Sequence, residues 1–210
     1  MRRLESLNTD NPPDDLCFFC YLPESRPVLY QDEHCYVIGT LGNFVEGYVL
    51  LVHQEHLDCY GDVDIDTVYE VKQRVRVAIE QKYGSCCFFE HGRTGNCATR
   101  GTQKICYHAH LHALPVAQSL AERLAQDFDP IEMTDWREIE RLRAKHPHYL
   151  YYESPQGEMY FYPVDENVER QYLRKRACEA AEIPVERADW REYPMRENLQ
   201  RTSSSLKNKI

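Results

Sequence analysis

The feature of this sequence that most constrains its fold is a row of three histidines at alternate positions, His108, His110 and His112. Side chains two residues apart in a β-strand point to the same face and lie roughly 7 Å apart along the chain. The residues that alternate with the histidines are alanine and leucine. The pattern therefore predicts a strand over 105–116, with a polar row on one face and apolar side chains on the other.

Imidazole chemistry makes this row a candidate for catalysis. Imidazole titrates near neutrality, so one of the histidines can be an uncharged nucleophile at pH 7. Attack on phosphorus would give a phosphoramidate that can pass its group to water, while neighbouring imidazoles orient the nucleophile, donate protons or hold a metal ion. The pattern alone leaves two alternatives open, a polar strand face and a metal site without catalysis.

A second motif, Cys17-Phe-Phe-Cys20, has the C-x-x-C spacing with which two thiolates bind one tetrahedral metal ion. Redox proteins use the same spacing between a strand and a helix, whereas here a Pro/Asp segment precedes the motif and Tyr-Leu-Pro follows it. Neutral imidazole nitrogen suits zinc beside thiolate sulfur, and the candidates are His56 and His108. We therefore predict a closed, structural zinc site, with unpaired buried cysteines as the alternative.

Patterns in the first half of the chain predict strands around one helix. A turn-like QDEH inside a run of β-forming residues predicts a hairpin over 28–38, and apolar runs predict strands over 47–53 and 86–89. Apolar residues at helical spacing predict a helix over 66–82 that stops at Gly84.

After Pro115 the character of the sequence changes. Helices are predicted over 117–127, 134–145 and 167–182, and the two segments 149–153 and 159–162 flank a Pro-Gln-Gly turn. The fold class predicted for the whole chain is α+β with a mostly antiparallel sheet. The predicted organisation is a flexible N-terminal lead (1–15), a catalytic domain (16–116), a C-terminal α/β extension packing on it (117–203) and a frayed tail (204–210).

Composition disfavours several classes of function. The formal net charge of −9 opposes general binding to a nucleic-acid backbone, but not a small nucleotide in a local pocket. The chain has no run of about 18 apolar residues, and its first residues lack the apolar stretch of a secretory signal. Nine cysteines, an odd number, indicate free or metal-bound thiols in a reducing compartment. We therefore expect a cytoplasmic protein without a membrane partner.

Residues 15–116 resemble the histidine-triad (HIT) superfamily. The resemblance is carried, in order, by C-x-x-C, the strand Gly47-Tyr-Val-Leu-Leu-Val, the position of His56, the following helix and H-φ-H-φ-H-φ-φ. It implies a half-barrel of antiparallel strands with helices, often in a homodimer. It also implies hydrolysis or transfer of nucleotidyl groups through a covalent intermediate on the middle histidine.

By this resemblance His110 is the nucleophile and His112 its orienting neighbour. Some bacterial members bind zinc through the positions that match Cys17, Cys20, His56 and His108. The implied activity is cleavage of a phosphoanhydride or phosphoramidate in a small-molecule nucleotide. A nucleotidyl or phosphoryl transferase and a non-catalytic, zinc-stabilised binding module are the alternatives.

The C-terminal half carries a second resemblance. Glu90-His91-Gly92 is similar to an E-H-G element of one HIT-like branch. Gln171-Tyr-Leu-Arg174 and Asp189-Trp190-Arg191 resemble a segment of that branch and of CwfJ-type proteins associated with RNA lariat processing. His91 is therefore a further catalytic candidate, and Gln171 and Arg174 are candidate phosphate contacts, because guanidinium pairs bidentately with phosphate. An amphipathic surface helix is the alternative.

Two positions depart from the usual HIT pattern. Many HIT enzymes carry Gln or Ser four residues before the first histidine, where this chain has Lys104 next to Gln103. A cation there can stabilise charge on a transferring phosphoryl group, so both are predicted to bind substrate. The usual Pro-Lys before the His56 position is replaced by His53-Gln54, so a substrate other than the usual dinucleoside polyphosphate stays open. Candidate walls for the base are Val37, Leu41 and Phe44.

Overall fold

The fold was described from a computed structural model, which describes residues 17–22, 26–95 and 107–210. Within these ranges the strands are β1 Val28–Gln31, β2 Cys35–Gly39, β3 Val49–His53, β4 Cys87–Gly92, β5 His110–Leu114, β6 Ile131–Met133, β7 Tyr149–Glu153 and β8 Met159–Pro163. The α-helices are α1 Asp66–Tyr83, α2 Ala121–Leu124, α3 Glu138–Arg143, α4 Tyr172–Ala180 and α5 Arg196–Leu206. Two short 3-10 helices span Tyr60–Asp62 and Val185–Ala188.

The described strands form one open sheet in the order β1-β2-β3-β5-β4-β7-β8-β6, and every neighbouring pair is antiparallel. The predicted α+β class, with a mostly antiparallel sheet and helices, is confirmed. Residues beyond 117, predicted to pack on the first part, supply β6, β7 and β8, so the extension continues the sheet through the pairing of β4 with β7.

The sheet separates two cores. On one face α1 packs Val68, Val71 and Val75 against sheet residues such as Leu51 and Leu111. The other face carries Leu50, Val52, Phe89 and Leu150, and is covered by α4 with Leu173. Strand periodicity assigns the even-numbered residues of β5, which include His110 and His112, to this second face.

Several elements lie where the sequence predicts them. They are the hairpin over 28–38, the two strands within 149–162, the third strand and the helix ending at Gly84. Gly84 has φ 87°, the left-handed conformation that commonly ends a helix. The strand predicted over 86–89 extends to Gly92 and includes Glu90 and His91, which therefore face opposite sides. The strand predicted over 105–116 is shorter, and 105 and 106 lie outside the described residues.

Several predicted helices are shorter than the apolar pattern suggested. In place of 117–127 and 134–145 the chain forms α2, α3 and the intervening strand β6, whose partner is β8. Helix α4 starts at Tyr172 instead of 167 because Gln171 has φ 60°, which breaks the helical backbone. Such boundaries depend on tertiary pairing more than on local propensity.

The predicted frayed tail over 204–210 differs from the structure. Its first residues belong to α5, and Leu206 is fully buried in the core on the α1 side. Thr202 of the same helix accepts a hydrogen bond from the backbone N–H of Gly47 at 2.8 Å. A polar-looking segment is thus anchored by one apolar side chain and one buried hydroxyl.

No helix in the described ranges is both long and apolar enough to cross a bilayer. The cysteines in those ranges lie at 17, 20, 35, 59, 86, 87 and 178, and they form no disulfide with one another.

Glu90 ties the first 3-10 helix to the sheet. Its carboxyl group accepts hydrogen bonds from the backbone N–H of Tyr60 at 2.7 Å and from the hydroxyl of Tyr149 at 2.5 Å. Burial nevertheless raises the pKa of Glu90 from 4.5 to about 8, because desolvation outweighs these hydrogen bonds.

We expect this carboxyl group to make stability pH-dependent. The folded state holds a proton that the unfolded chain releases above pH 4.5, so the contribution of Glu90 is fully present below pH 4.5 and is lost as pH rises towards 8. In urea titrations from pH 5 to 8, wild type should lose unfolding free energy relative to Glu90→Gln by at most about 1.4 kcal/mol per pH unit. Parallel pH profiles for the two proteins would contradict this assignment.

Candidate active site and metal centre

The histidine row lies at the start of β5 beside β3. His110 is paired with Val52 and His112 with Leu50, while His108 lies just before the strand. His108 and His112 are buried, with 3% and 6% of their surface exposed, whereas His110 is partly exposed. Of the three imidazoles, His110 is therefore the one that a ligand can reach.

The tautomer of His110 is set by the backbone. Its Nδ1 lies 2.6 Å from the carbonyl oxygen of His108. A carbonyl only accepts, so Nδ1 carries the proton and Nε2 keeps its lone pair. Burial lowers the pKa of His110 to about 4 and outweighs the hydrogen bond to the His108 carbonyl, which raises it. The ring is thus uncharged at neutral pH and presents a nucleophilic nitrogen.

His112 is enclosed by aromatic rings. It stacks on Phe89, with ring centroids 4.6 Å apart, and its Nδ1 is hydrogen-bonded to the hydroxyl of Tyr48. Its ring centroid lies 4.9 Å from that of His110. Burial, together with the neighbouring His110 and Arg174, lowers the pKa of His112 well below its ordinary value.

His91 of β4 lies next in this cluster, with its ring centroid 6.3 Å from that of His112. Its Nε2 accepts a hydrogen bond from the backbone N–H of Leu173 at 3.2 Å. Burial lowers the pKa of His91 to about 3, which keeps it neutral and able to accept this bond. His91, predicted as catalytic, therefore joins the histidine row to the first turn of α4.

The predicted phosphate contacts of the extension lie in different places. Gln171 directly precedes α4, and its Nε2 is buried with no hydrogen-bond partner among the described residues. Arg174 is buried, and its guanidinium donates to Tyr48, Gly42 and Ala188 instead of facing an open cleft. Gln103 and Lys104 lie outside the described residues.

Of the residues proposed as walls for a base, Val37 lies on the wrong face. Strand β2 alternates, so Tyr36 and Ile38 join the core on the histidine side while Val37 packs on the α1 side. Phe44 does belong to the histidine side, with its ring 5.3 Å from that of Tyr48. Leu41 is buried between β2 and β3.

The four predicted metal ligands converge at one end of the row. The ligand atoms of Cys17, Cys20, His56 and His108 all lie within 4.8 Å of one another. Representative separations are 3.1 Å from Cys20 Sγ to His56 Nδ1, 3.5 Å from Cys17 Sγ to His108 Nδ1 and 3.3 Å between the two Nδ1 atoms. Atoms bound to one tetrahedral zinc ion lie about 3.3–3.8 Å apart, so these residues fit such an ion.

The second nitrogen of His108 supports the same interpretation. Its Nε2 lies 2.8 Å from the carbonyl oxygen of His53, so Nε2 carries the proton and Nδ1 is left as a lone-pair donor towards the cysteines. With two thiols and two imidazoles, the cluster has four donors and no open position for a substrate.

Two residues near the row were not singled out from the sequence. Tyr48 contacts His112, and Phe19, between the two cysteines, lies over His110 with ring centroids 4.7 Å apart. The hydroxyl of Tyr36 donates to the carbonyl of Phe19 at 2.6 Å and holds that segment in place. The C-x-x-C motif was the only sequence signal that pointed to Phe19. No sequence signal pointed to Tyr48, which is a lone tyrosine directly before β3.

The described residues form an α+β protein with one antiparallel sheet and a row of alternating histidines at and just before β5. No family model matches the chain. CWF19-like protein 1 of Mus musculus is 22% identical over 199 residues, covering 86% of this chain and 35% of that protein. The corresponding protein of Pongo abelii is 22% identical over 194 residues, and the match covers 84% of this chain and 34% of that protein. The chain thus spans about a third of the length of the curated relatives it matches.

Solved structures similar to the chain include three HIT proteins. A HIT-like protein involved in cell-cycle regulation from Bartonella henselae has 18% identity and a TM-score of 0.33, covering 43% of this chain and 66% of its own. A hypothetical histidine triad nucleotide-binding protein from Sulfolobus tokodaii has 22% identity and a TM-score of 0.34, and the match covers 47% of this chain and 68% of that chain. A Zn-bound histidine triad family protein from Mycobacterium smegmatis has 22% identity and a TM-score of 0.32, and the match covers 57% of this chain and 82% of that chain.

The matches to CWF19-like protein 1 extend over most of this chain and so include the part beyond 117. The predicted resemblance to CwfJ-type proteins is thereby confirmed as a likeness in sequence.

Removal of one thiol should empty the metal cluster. In Cys17→Ser or Cys20→Ser, metal affinity should fall by more than about tenfold, the least that even second-shell changes cause. The measurement is metal per protein by mass spectrometry after gel filtration. Cys178→Ser, which changes a buried thiol of α4 that is not one of the four clustered residues, and His110→Ala should keep their metal. Equal metal loss in His110→Ala and Cys17→Ser would place the ion on the histidine row instead.

Proposed function

We propose that this chain is a nucleotide hydrolase of the HIT type that forms a covalent nucleotidyl intermediate on His110. The proposal is carried by one observation: His110 is the partly exposed member of the row, and its Nδ1 proton is held by the His108 carbonyl. A neutral imidazole with a free Nε2 is the form that attacks phosphorus.

The proposed reaction has two steps. In the first, the Nε2 lone pair of His110 forms a bond to phosphorus while the bond from phosphorus to the leaving group breaks and the leaving group departs with that electron pair. In the second, water attacks phosphorus, the P–N bond breaks, and a proton of the water is released. His110 is thereby returned to its neutral form with the Nδ1 proton still facing the His108 carbonyl.

The cleaved bond is a phosphoanhydride or phosphoramidate in a small-molecule nucleotide. The net charge of −9 supports a small substrate over a nucleic-acid polymer, because the field of the whole protein repels a phosphate backbone. A homodimer is part of the proposal by resemblance alone. The same intermediate would serve a transferase, with a second acceptor in place of water.

The metal in the cluster is proposed to be zinc, in a structural role. Two sulfur and two imidazole donors at these separations suit zinc, and a closed set of four leaves it no substrate position. His56, Cys17 and Cys20 would then hold the N-terminal segment against His108. If this is the only function of the site, the chain is a zinc-stabilised binding module.

The test is to trap the intermediate. Wild type is mixed with a pool of α-labelled nucleotide conjugates and quenched in denaturant, and label should appear on the peptide that contains His110. His110→Ala should carry no label and lose turnover by roughly 10³-fold or more, as removal of a nucleophile usually does. Products are separated by chromatography with and without candidate acceptors, which distinguishes hydrolase from transferase.

His146→Ala is the matched control, because His146 packs on Phe161 in the opposite core. It should label and turn over like wild type. If wild type never retains label and His110→Ala changes no activity, the hydrolase assignment is wrong and the binding module stands.

A further inference from the structure

Arg174 is a buried cation whose hydrogen bonds all lead into the protein. Its Nε donates to the carbonyl of Ala188 at 2.9 Å, its Nη1 to the hydroxyl of Tyr48 at 2.7 Å and its Nη2 to the carbonyl of Gly42 at 2.8 Å. No carboxylate among the described residues forms an ion pair with it. Tyr48 is the side chain to which Arg174 donates, so any influence of Arg174 on the histidine row passes through the Tyr48 hydroxyl.

The direction of the hydrogen bond between Tyr48 and His112 follows from the chemistry of arginine. A guanidinium has only donors, so the Tyr48 oxygen accepts from Arg174. Tyr48 then has one proton to give, and its other partner is Nδ1 of His112. Burial raises the pKa of Tyr48 to about 12, so this proton is present at neutral pH. Nδ1 of His112 accepts, and the neutral ring carries its proton on Nε2.

Without Arg174 this direction would be open. A tyrosine hydroxyl can rotate and either donate or accept, so Tyr48 alone is compatible with both tautomers of His112. The guanidinium removes that freedom, because the hydroxyl hydrogen cannot point at a cation. We infer that Arg174 and Tyr48 are positioning residues that hold His112 with its proton on Nε2, so that the C-terminal extension sets the proton arrangement of the histidine row.

The backbone around Gly42 is shaped for this arrangement. Gly42 has φ 65°, and a Cβ there would lie 2.5 Å from Arg174 Nη2 and 2.4 Å from Cβ of Trp190. The close approach lets the Gly42 carbonyl accept from the guanidinium. Trp190 belongs to the Asp-Trp-Arg segment of the extension, so two separate parts of that extension meet the loop before β3.

A proton on Nε2 of His112 matters because of where the ring lies. Its centroid is 4.9 Å from that of His110, and no described residue accepts a hydrogen bond from its Nε2. An N–H there can donate to an oxygen of a phosphoryl group on His110, whereas the other tautomer would present a lone pair to it. Donation from His112 to a phosphoryl oxygen rests on the proposed function, whereas the assignment of the His112 tautomer does not depend on it.

The first experiment measures the tautomer directly. Full-length protein with ¹⁵N-labelled histidine is analysed by long-range ¹H–¹⁵N correlation NMR, with the His112 signals assigned by their loss in His112→Gln. Wild type should show a single tautomer protonated on Nε2. A wild-type His112 protonated on Nδ1 overturns the inference, and the tautomer is measured on the wild-type protein itself.

The second experiment removes the relay. In Tyr48→Phe the His112 signals should report a mixture or a switch of tautomers, and kcat should fall about 100-fold, the low end of what a positioned proton donor contributes, with KM little changed. Arg174→Lys, which keeps one cationic donor nitrogen, should recover part of the loss that Arg174→Met causes. Tyr152→Phe, which removes a buried hydroxyl of the same core that contacts Leu120, is the matched control and should alter neither readout.

The outcomes separate the inference from the proposed function. Unchanged tautomer and kcat in folded Tyr48→Phe would refute the relay even if His110 forms the covalent intermediate. A tautomer that switches in Tyr48→Phe, in a protein that never labels His110, would support the relay and remove the hydrolase.

Discussion

The two-residue period of the strand that begins at His110 is the constraint on which the site depends. It places His110 and His112 on one side and puts Leu111 and Ala113, on the other side, into the core packed on α1. Because successive row members are two residues apart, the carbonyl of His108 can accept the Nδ1 proton of His110. The orientation of the His110 ring is thus set by the strand backbone.

His108 connects the two halves of the site through three different atoms. Its Nδ1 faces the cysteines, its Nε2 is held by the His53 carbonyl, and its own carbonyl holds His110. The ring of Phe19, between the two cysteines, also packs on His110. Order in the metal cluster and order at His110 are therefore coupled by direct contacts.

The C-terminal extension takes part in the site by covering it. Strand β7 pairs with β4, which fixes Phe89 and His91 beside the row, and α4 then lies over the same face. The backbone of Leu173 contacts His91, and the side chain of Arg174 contacts Tyr48. A surface helix, the alternative considered from the sequence, would leave both contacts unmade and the histidine face open.

Local patterns in the sequence determined much of this protein. Three patterns depend only on neighbours in the chain. Alternation at 108–112 predicts β5, the C-x-x-C spacing predicts the metal-ligand pair, and helical spacing over 66–82 predicts α1. The same patterns overestimated helices after 116, because β6 exists only through its pairing with β8, and they missed the anchoring of the tail by Leu206.

Only the tertiary structure decided the direction of hydrogen bonds. Arg174 was assigned to a phosphate because guanidinium suits phosphate, yet it lies 126 positions from Tyr48 in sequence and donates to it in the fold. Tyr48 in turn lies 64 positions from His112. Which nitrogen of an imidazole carries its proton depends on such distant partners, and no local pattern encodes them.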